Sequence, residues 1–169
     1  MPITPLHLGL LAPLNHWLPG KVNNLSFWLV TLWLDASAIA YYALGLEMGE
    51  FHGPESHSFV AASALSGAVA IMGLLWFTLM STKHDRGGRA LAWVIGAYLA
   101  GFSHILLDAM VHSEMLPFHP LPGNPFYWGG MEPVSILLVP LAIWLTAQYV
   151  KGMVGLVQRS PVVARLWKR

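Results

Sequence analysis

Apolar residues run along this chain in five long stretches, and short polar segments separate them. A helix of about 20 mostly apolar residues is long enough to cross the hydrocarbon core of a bilayer. We therefore predict an all-α fold, an integral membrane helical bundle of about five membrane segments. The expected segments are residues 4–18, 25–46, 58–79, 90–111 and 133–150.

The first segment differs from the other four because it is short and contains Pro13. Proline lacks an N–H and its ring meets the carbonyl four residues earlier, so a kink is expected here. We predict a short crossing or a re-entrant piece. No basic leader precedes this segment and prolines interrupt it, so no cleavable signal peptide is expected. The domain organisation is a single helical membrane domain, residues 1–150, followed by a basic tail, residues 151–169.

The composition agrees with a small polytopic membrane protein. Of 169 residues, 56% are hydrophobic and only 10% are charged, and the mean hydropathy is +0.56. Soluble domains carry about 25% charged residues. The formal net charge is only +1, and no nucleic-acid partner is expected. The chain has no cysteine, so any metal ion would be held by His, Asp or Glu.

The positions of the positive charges predict the topology. If residues 4–18 cross the membrane, all nine Lys and Arg residues lie on one side of the five segments. The positive-inside rule makes that side cytoplasmic. The tail after Lys151 is then cytoplasmic, and the loops at residues 47–56 and 115–130 face outward.

Three polar side chains interrupt the fourth apolar segment at helical spacing: His104, Asp108 and His112. Residues four apart on a helix lie on one face, so these groups can share an ion or orient one another. An ionisable side chain in a membrane span costs at least about 2.5 kcal/mol and usually marks a functional site. The alternative is that His104 and Asp108 only satisfy each other within a packed helix.

Other titratable residues share the depth of this motif. His7, Asp35 and His104 each lie 14 or 15 residues from the nearest cytoplasmic Lys or Arg. At 1.5 Å per helical residue, all three lie about 21 to 23 Å above the inner surface. Asp108 lies about one turn higher, and His57 begins its own segment nearby. The sequence therefore predicts one polar layer in the outer half of the membrane.

Imidazole and carboxylate are the ligands that zinc and similar divalent ions use in hydrolytic sites. We predict a divalent metal, zinc, with ligands from the set His7, Asp35, His57, His104 and Asp108. Three further residues are predicted to act as general acid or base, to contact substrate or to support the ligands: His52, His112 and Glu132. His7 also fits a helix-capping role, and His52 also fits an ordinary loop residue.

Four motifs in this order resemble the bacterial membrane-bound metal-dependent hydrolases: Thr4-Pro5-Leu6-His7, Asp35, the run HGPESHS at residues 52–58 and the run SHILLD at residues 103–108. That group includes LexA-regulated inner-membrane proteins and looks distantly similar to zinc-dependent phospholipase C. The resemblance covers residues 4 to about 122. It implies metal ligation by His7, Asp35, His57, His104 and Asp108, and a place in the bacterial cytoplasmic membrane.

The chain departs from that family at two positions. Many relatives carry HRGxTHS, and here Gly53-Pro54 stand where the Arg-Gly would be, which removes a cation that could hold a phosphate. An Asp-x-Asp pair is also usual, and Ser37 fills its second place. These departures leave open another substrate, fewer metals or a site without turnover.

The predicted function is a membrane-embedded metal-dependent hydrolase. Its substrate would be an ester or phosphoester of a lipid-like molecule at the outer face, with membrane lipid as its partner. One alternative is a small proton- or cation-coupled transporter that uses the same residues. Another is a non-catalytic scaffold whose polar layer only holds helices together. The off-centre layer and the lack of internal repeats favour the hydrolase, since carriers tend to bind at the midplane between repeated halves.

Overall fold

In the part of the chain that the computed structural model describes, the regular secondary structure is helical and no β-strand occurs. The described residues are 4–36, 40, 43–44, 53–80, 86–129, 139–140, 143–144, 147–148 and 150–151. The prediction of an all-α fold is confirmed for them. The bounded helices are α1 (Thr4–Gly9), α2 (Leu11–Trp17), α3 (Asn24–Leu34), α4 (Phe59–Met80) and α5 (Arg86–Val111).

The first predicted segment is divided into α1 and α2 at Leu10. Pro13 lies in the first turn of α2, three residues after this break. The helix is therefore interrupted where the kink is predicted, since proline has no N–H to donate to the Gly9 carbonyl. The two helices with Leu10 span about 21 Å, which is shorter than a hydrocarbon core of about 30 Å.

Helix α5 packs against both α3 and α4, and its contacts show in which direction each of them runs. The backbone N–H of Asn23 donates to the carbonyl of Ala92 at 2.9 Å. Asp35 and His104, each 12 residues further along, are also in contact. Helices α3 and α5 therefore run parallel, and residues the same distance along each helix lie at the same level. Helix α4 runs antiparallel to α5, because Ser66 bonds to Ala97 and Val69, further along, bonds to the earlier Trp93.

This register places the basic residues and the polar residues at opposite ends of the bundle. Lys21 precedes α3 and Arg89 lies in the first turn of α5, so both are at the same end. Asp35, at the C-cap of α3, and His104 lie several turns away along the same two helices. The equal spacing read from the sequence is thus the physical register of two parallel helices.

Gly101 allows α4 and α5 to approach closely. A Cβ at this position would meet Ser66 Oγ and would lie 3.2 Å from the carbonyl oxygen of Ala62. Ser66 Oγ itself donates to the carbonyl of Ala97 at 3.0 Å, so it has little freedom to move away. Small residues of this kind are how membrane helices bring their backbones together.

We expect Gly101→Ala to lower the free energy of unfolding by about 1–3 kcal/mol, because the added methyl overpacks the α4–α5 contact. Gly88→Ala is the matched control, since a Cβ at Gly88 meets nothing within 4 Å. That control should be neutral or slightly stabilising. Thermal unfolding of the two variants in one detergent measures the difference. Equal melting temperatures for Gly101→Ala and the unchanged protein would contradict the close packing.

The start of α5 corrects one sequence interpretation. The fourth predicted segment starts at residue 90, but α5 already begins at Arg86, within the charged, glycine-containing stretch that precedes that segment. The first four N–H groups of a helix need no intrahelical acceptor. Gly87 and Gly88 lie in this first turn, outside the helix interior, where the conformational-entropy cost of glycine is greatest.

Among the described residues, two helices are long and apolar enough to cross a membrane: α4 and Gly87–Val111 of α5. Only 28% of the most apolar 18-residue stretch of α4 is buried. Its outward side chains include Ile71, Trp76 and Leu79, each more than half exposed. Large outward apolar surfaces of this kind mark contact with lipid or another apolar partner. The predicted segment 133–150 and the second half of segment 25–46 lie largely outside the described residues.

Candidate metal centre

All five side chains predicted as metal ligands come together at the end of the bundle opposite Lys21 and Arg89. They arrive from four separate parts of the chain: α1, the C-cap of α3, the turn before α4, and α5. Every one of them is buried, with at most 3% of its surface exposed. The five residues are His7, Asp35, His57, His104 and Asp108.

Asp108 is the centre of the group, because its two carboxylate oxygens face three histidines. Oδ1 lies 3.2 Å from Nε2 of His7. Oδ2 lies 3.2 Å from Nε2 of His104 and 3.8 Å from Nε2 of His57. The contact with His104 is the i,i+4 pair that the sequence indicates. All three imidazoles therefore present the same nitrogen, Nε2, to one carboxylate.

His104 joins the second carboxylate to the first. Its Nε2 also lies 3.3 Å from Oδ1 of Asp35, so one nitrogen faces two acids. The ring of His104 stacks on that of His7 with centroids 4.0 Å apart and planes within 14°. This stacking fixes the direction of both rings.

The ligand atoms are spaced closely enough to bind a cation. They form two overlapping groups in which all atoms lie within 4.8 Å of one another: His7 with Asp35 and His104, and His57 with His104 and Asp108. Two carboxylates with three neutral imidazoles carry a charge of −2, which one divalent ion balances. Burying two carboxylates without such compensation would be costly. The residues present therefore fit a divalent metal ion.

A loop after α5 closes over this end of the bundle. The side-chain amide of Asn124 donates to the carbonyls of Ala109 at 2.7 Å and His112 at 2.8 Å, which lack helical partners at the end of α5. The backbone N–H of Phe59 at the start of α4 donates to the carbonyl of Pro117 at 2.8 Å. The loop thereby fixes the start of α4, which follows His57, relative to the end of α5, which carries Asp108.

Of the three residues predicted to assist catalysis, the structure describes one, His112. His112 lies one turn beyond Asp108, where its Nδ1 is 3.0 Å from the exposed carboxylate of Glu114. It is half-buried at the rim, and its role stays a prediction. His52 and Glu132 lie outside the described residues.

Two polar residues near the ligands were missed from the sequence: Thr31, which is buried, and Ser56, which is half-buried. Thr31 is fully buried one turn before Asp35, and its hydroxyl has no hydrogen-bond partner among the described residues. Ser56 contacts the ring of His57. Both had a signal in the sequence, since Thr31 stands four residues before Asp35 and Ser56 directly precedes a candidate ligand.

Comparison with protein-family models, with curated proteins and with solved structures gave no match. The contacts and burial of the site residues therefore carry the functional proposal.

Proposed function

We propose that this protein is a membrane-embedded, zinc-dependent hydrolase that acts on an ester or phosphoester of a lipid-like substrate. The observation that carries the proposal is the convergence of three buried imidazoles on the carboxylate of Asp108, with the buried carboxylate of Asp35 joined to this group through His104. A purely structural ion pair needs only two such groups. Five groups with their ligand atoms facing inward match the His and Asp donor set of hydrolytic zinc sites.

The proposed setting is the bacterial cytoplasmic membrane, with five membrane segments and the basic tail inside. The shared position of Lys21 and Arg89 at one end of the bundle supports this orientation, since positive residues stay on the cytoplasmic side. The His/Asp group then lies toward the outer face. This setting also suits the proposed membership of the bacterial membrane-bound hydrolase group.

The position of each site residue suggests its role in the proposed reaction. Some four of five groups would hold the ion, which leaves a position open for water: Nε2 of His7, His57 and His104 and the carboxylates of Asp35 and Asp108. The ion supplies Lewis acidity toward the scissile group and a lower pKa for the attacking water. Burial of all five ligands keeps competing solvent away from the ion. His112, at the rim beside Glu114, would move a proton between the site and the outside.

An aromatic cluster beside the site supports a lipid-like substrate. Phe59 follows His57 by two residues, and its ring centroid lies 5.8 Å from that of Phe102 and 5.3 Å from that of Phe118. Phe102 and Phe118 are each 42% exposed. An acyl chain lying against these rings would bring its head group toward His57.

Topology is tested by single cysteines in this cysteine-free chain. We expect Glu55→Cys and Leu121→Cys, at exposed positions near the site, to react with an impermeant maleimide added outside intact cells. Lys21→Cys should react only after the membrane is opened. Labelling of residues 55 and 121 only from the cytoplasmic side would contradict the orientation.

The metal proposal is tested by the zinc content of purified protein. The unchanged chain should retain zinc, and the double variant His104→Ala/Asp108→Ala should lose it. His16→Ala is the control, because His16 is exposed in α2. Full metal occupancy in the double variant would exclude this site.

A further inference from the structure

Ser56 contacts the outer edge of a candidate ligand ring, the imidazole of His57. Its Oγ lies 2.8 Å from Nδ1 of His57, the nitrogen on the side away from Asp108. The same Oγ lies 3.3 Å from the carbonyl oxygen of Gly53. Ser56 therefore stands between a backbone carbonyl and an imidazole.

Hydrogen bonds to the backbone fix the chain before and after His57. The carbonyl of Gly53 accepts from the N–H of Ser56 at 3.1 Å and from the N–H of His57 at 2.8 Å, which closes a tight turn. Immediately after it, Ser58 Oγ accepts from the N–H of Ala61 at 3.2 Å and caps α4. His57 is thus fixed between a closed turn and a capped helix.

The single hydroxyl proton decides the direction of both hydrogen bonds. The Gly53 carbonyl can only accept, so the hydroxyl of Ser56 donates to it. With the hydroxyl proton directed to Gly53, Ser56 Oγ is left to accept from Nδ1–H of His57. An imidazole that carries its proton on Nδ1 has its lone pair on Nε2, the nitrogen that faces Asp108.

We infer that Ser56 is a positioning residue that holds His57 as the Nδ1–H tautomer and aims the Nε2 lone pair at the metal ion. This inference rests on the proposed metal-binding function. The other two histidines lack an equivalent contact: Nδ1 of His7 and Nδ1 of His104 are buried with no hydrogen-bond partner among the described residues. Among these three histidines, and within the described residues, His57 is therefore the one whose tautomer is set by a neighbouring side chain.

Loss of a side chain that orients a ligating histidine typically lowers metal affinity about 10- to 100-fold. We expect Ser56→Ala to weaken zinc binding by about that factor in a competition titration against a chromophoric chelator. Ser56→Thr keeps the hydroxyl and should stay within about threefold of the unchanged protein. Ser56→Val has the shape of threonine without the hydroxyl, so it should behave like Ser56→Ala even if alanine impairs folding.

Ser103→Ala is the matched control. Ser103 also directly precedes a candidate ligand, His104, but its hydroxyl donates to the backbone carbonyl of Ala100 at 3.2 Å. Its zinc affinity should be unchanged. The visible spectrum of bound Co²⁺ adds a readout of ligand geometry, which should change in Ser56→Val and not in Ser56→Thr.

The outcomes separate the two proposals. If the unchanged protein binds neither Zn²⁺ nor Co²⁺, the metal function fails and the role of Ser56 fails with it. If the unchanged protein binds zinc and Ser56→Val binds it equally well with the same Co²⁺ spectrum, only the role of Ser56 is overturned. Weak binding by both Ser56→Val and Ser56→Thr would also overturn it, since the hydroxyl would not be what matters.

Discussion

Asp108→Asn is expected to remove metal binding and hydrolysis together. The substitution keeps the size of the side chain but removes the charge that faces His7, His57 and His104. An amide is a poor zinc ligand, and one of the two negative charges that balance the ion is lost. Metal catalysis supplies several kcal/mol and each 1.4 kcal/mol is a factor of ten, so the rate should fall about 10²- to 10⁴-fold. Zinc content and hydrolysis are measured on the same preparation.

Glu55→Gln is the control for Asp108→Asn, because it makes the same chemical change at an exposed position. It should keep both zinc and activity. A folded Asp108→Asn protein that still holds one zinc per chain would show that this carboxylate is not a ligand. Retained zinc with lost activity would instead assign Asp108 to proton transfer.

Chelation should abolish hydrolysis, and added zinc should restore it. We expect product from mixed membrane lipids or from generic phosphodiester and carboxylester substrates with solubilised protein, and none after treatment with a strong chelator. The physical reason is that the attacking water needs the ion to lower its pKa near neutral pH. The buried position of all five ligands predicts slow metal loss, so chelation is followed over hours.

The same variants distinguish the hydrolase from a carrier. A carrier needs no bound zinc, so its uptake into sealed vesicles would follow a proton or cation gradient and would survive chelation. If no metal-dependent product forms while Asp108→Asn removes gradient-driven uptake, the carrier replaces the hydrolase. If the protein neither binds metal nor transports, the His/Asp group serves as a scaffold between helices.

The chain itself determined the position of α4 and the shared level of Asp35 and His104 along the bundle. Apolar length predicts α4 within one residue at each end, since residues 58–79 were expected and Phe59–Met80 is observed. The i,i+4 spacing of His104 and Asp108 predicts their contact because a single helix fixes that geometry. The equal distances of Asp35 and His104 from basic residues predict a shared level, because membrane helices begin at the same surface.

Tertiary structure decided which of these polar atoms meet. Three histidines converge on Asp108 because of the lateral order of α1, α4 and α5. The spacing of residues along one helix carries no information about that order. The orientation of His57 by Ser56 depends on a turn closed by the Gly53 carbonyl, and turns are set by local backbone angles rather than by periodicity. Periodicity reports the depth and face of a residue, whereas partners across helices are fixed only when side chains pack.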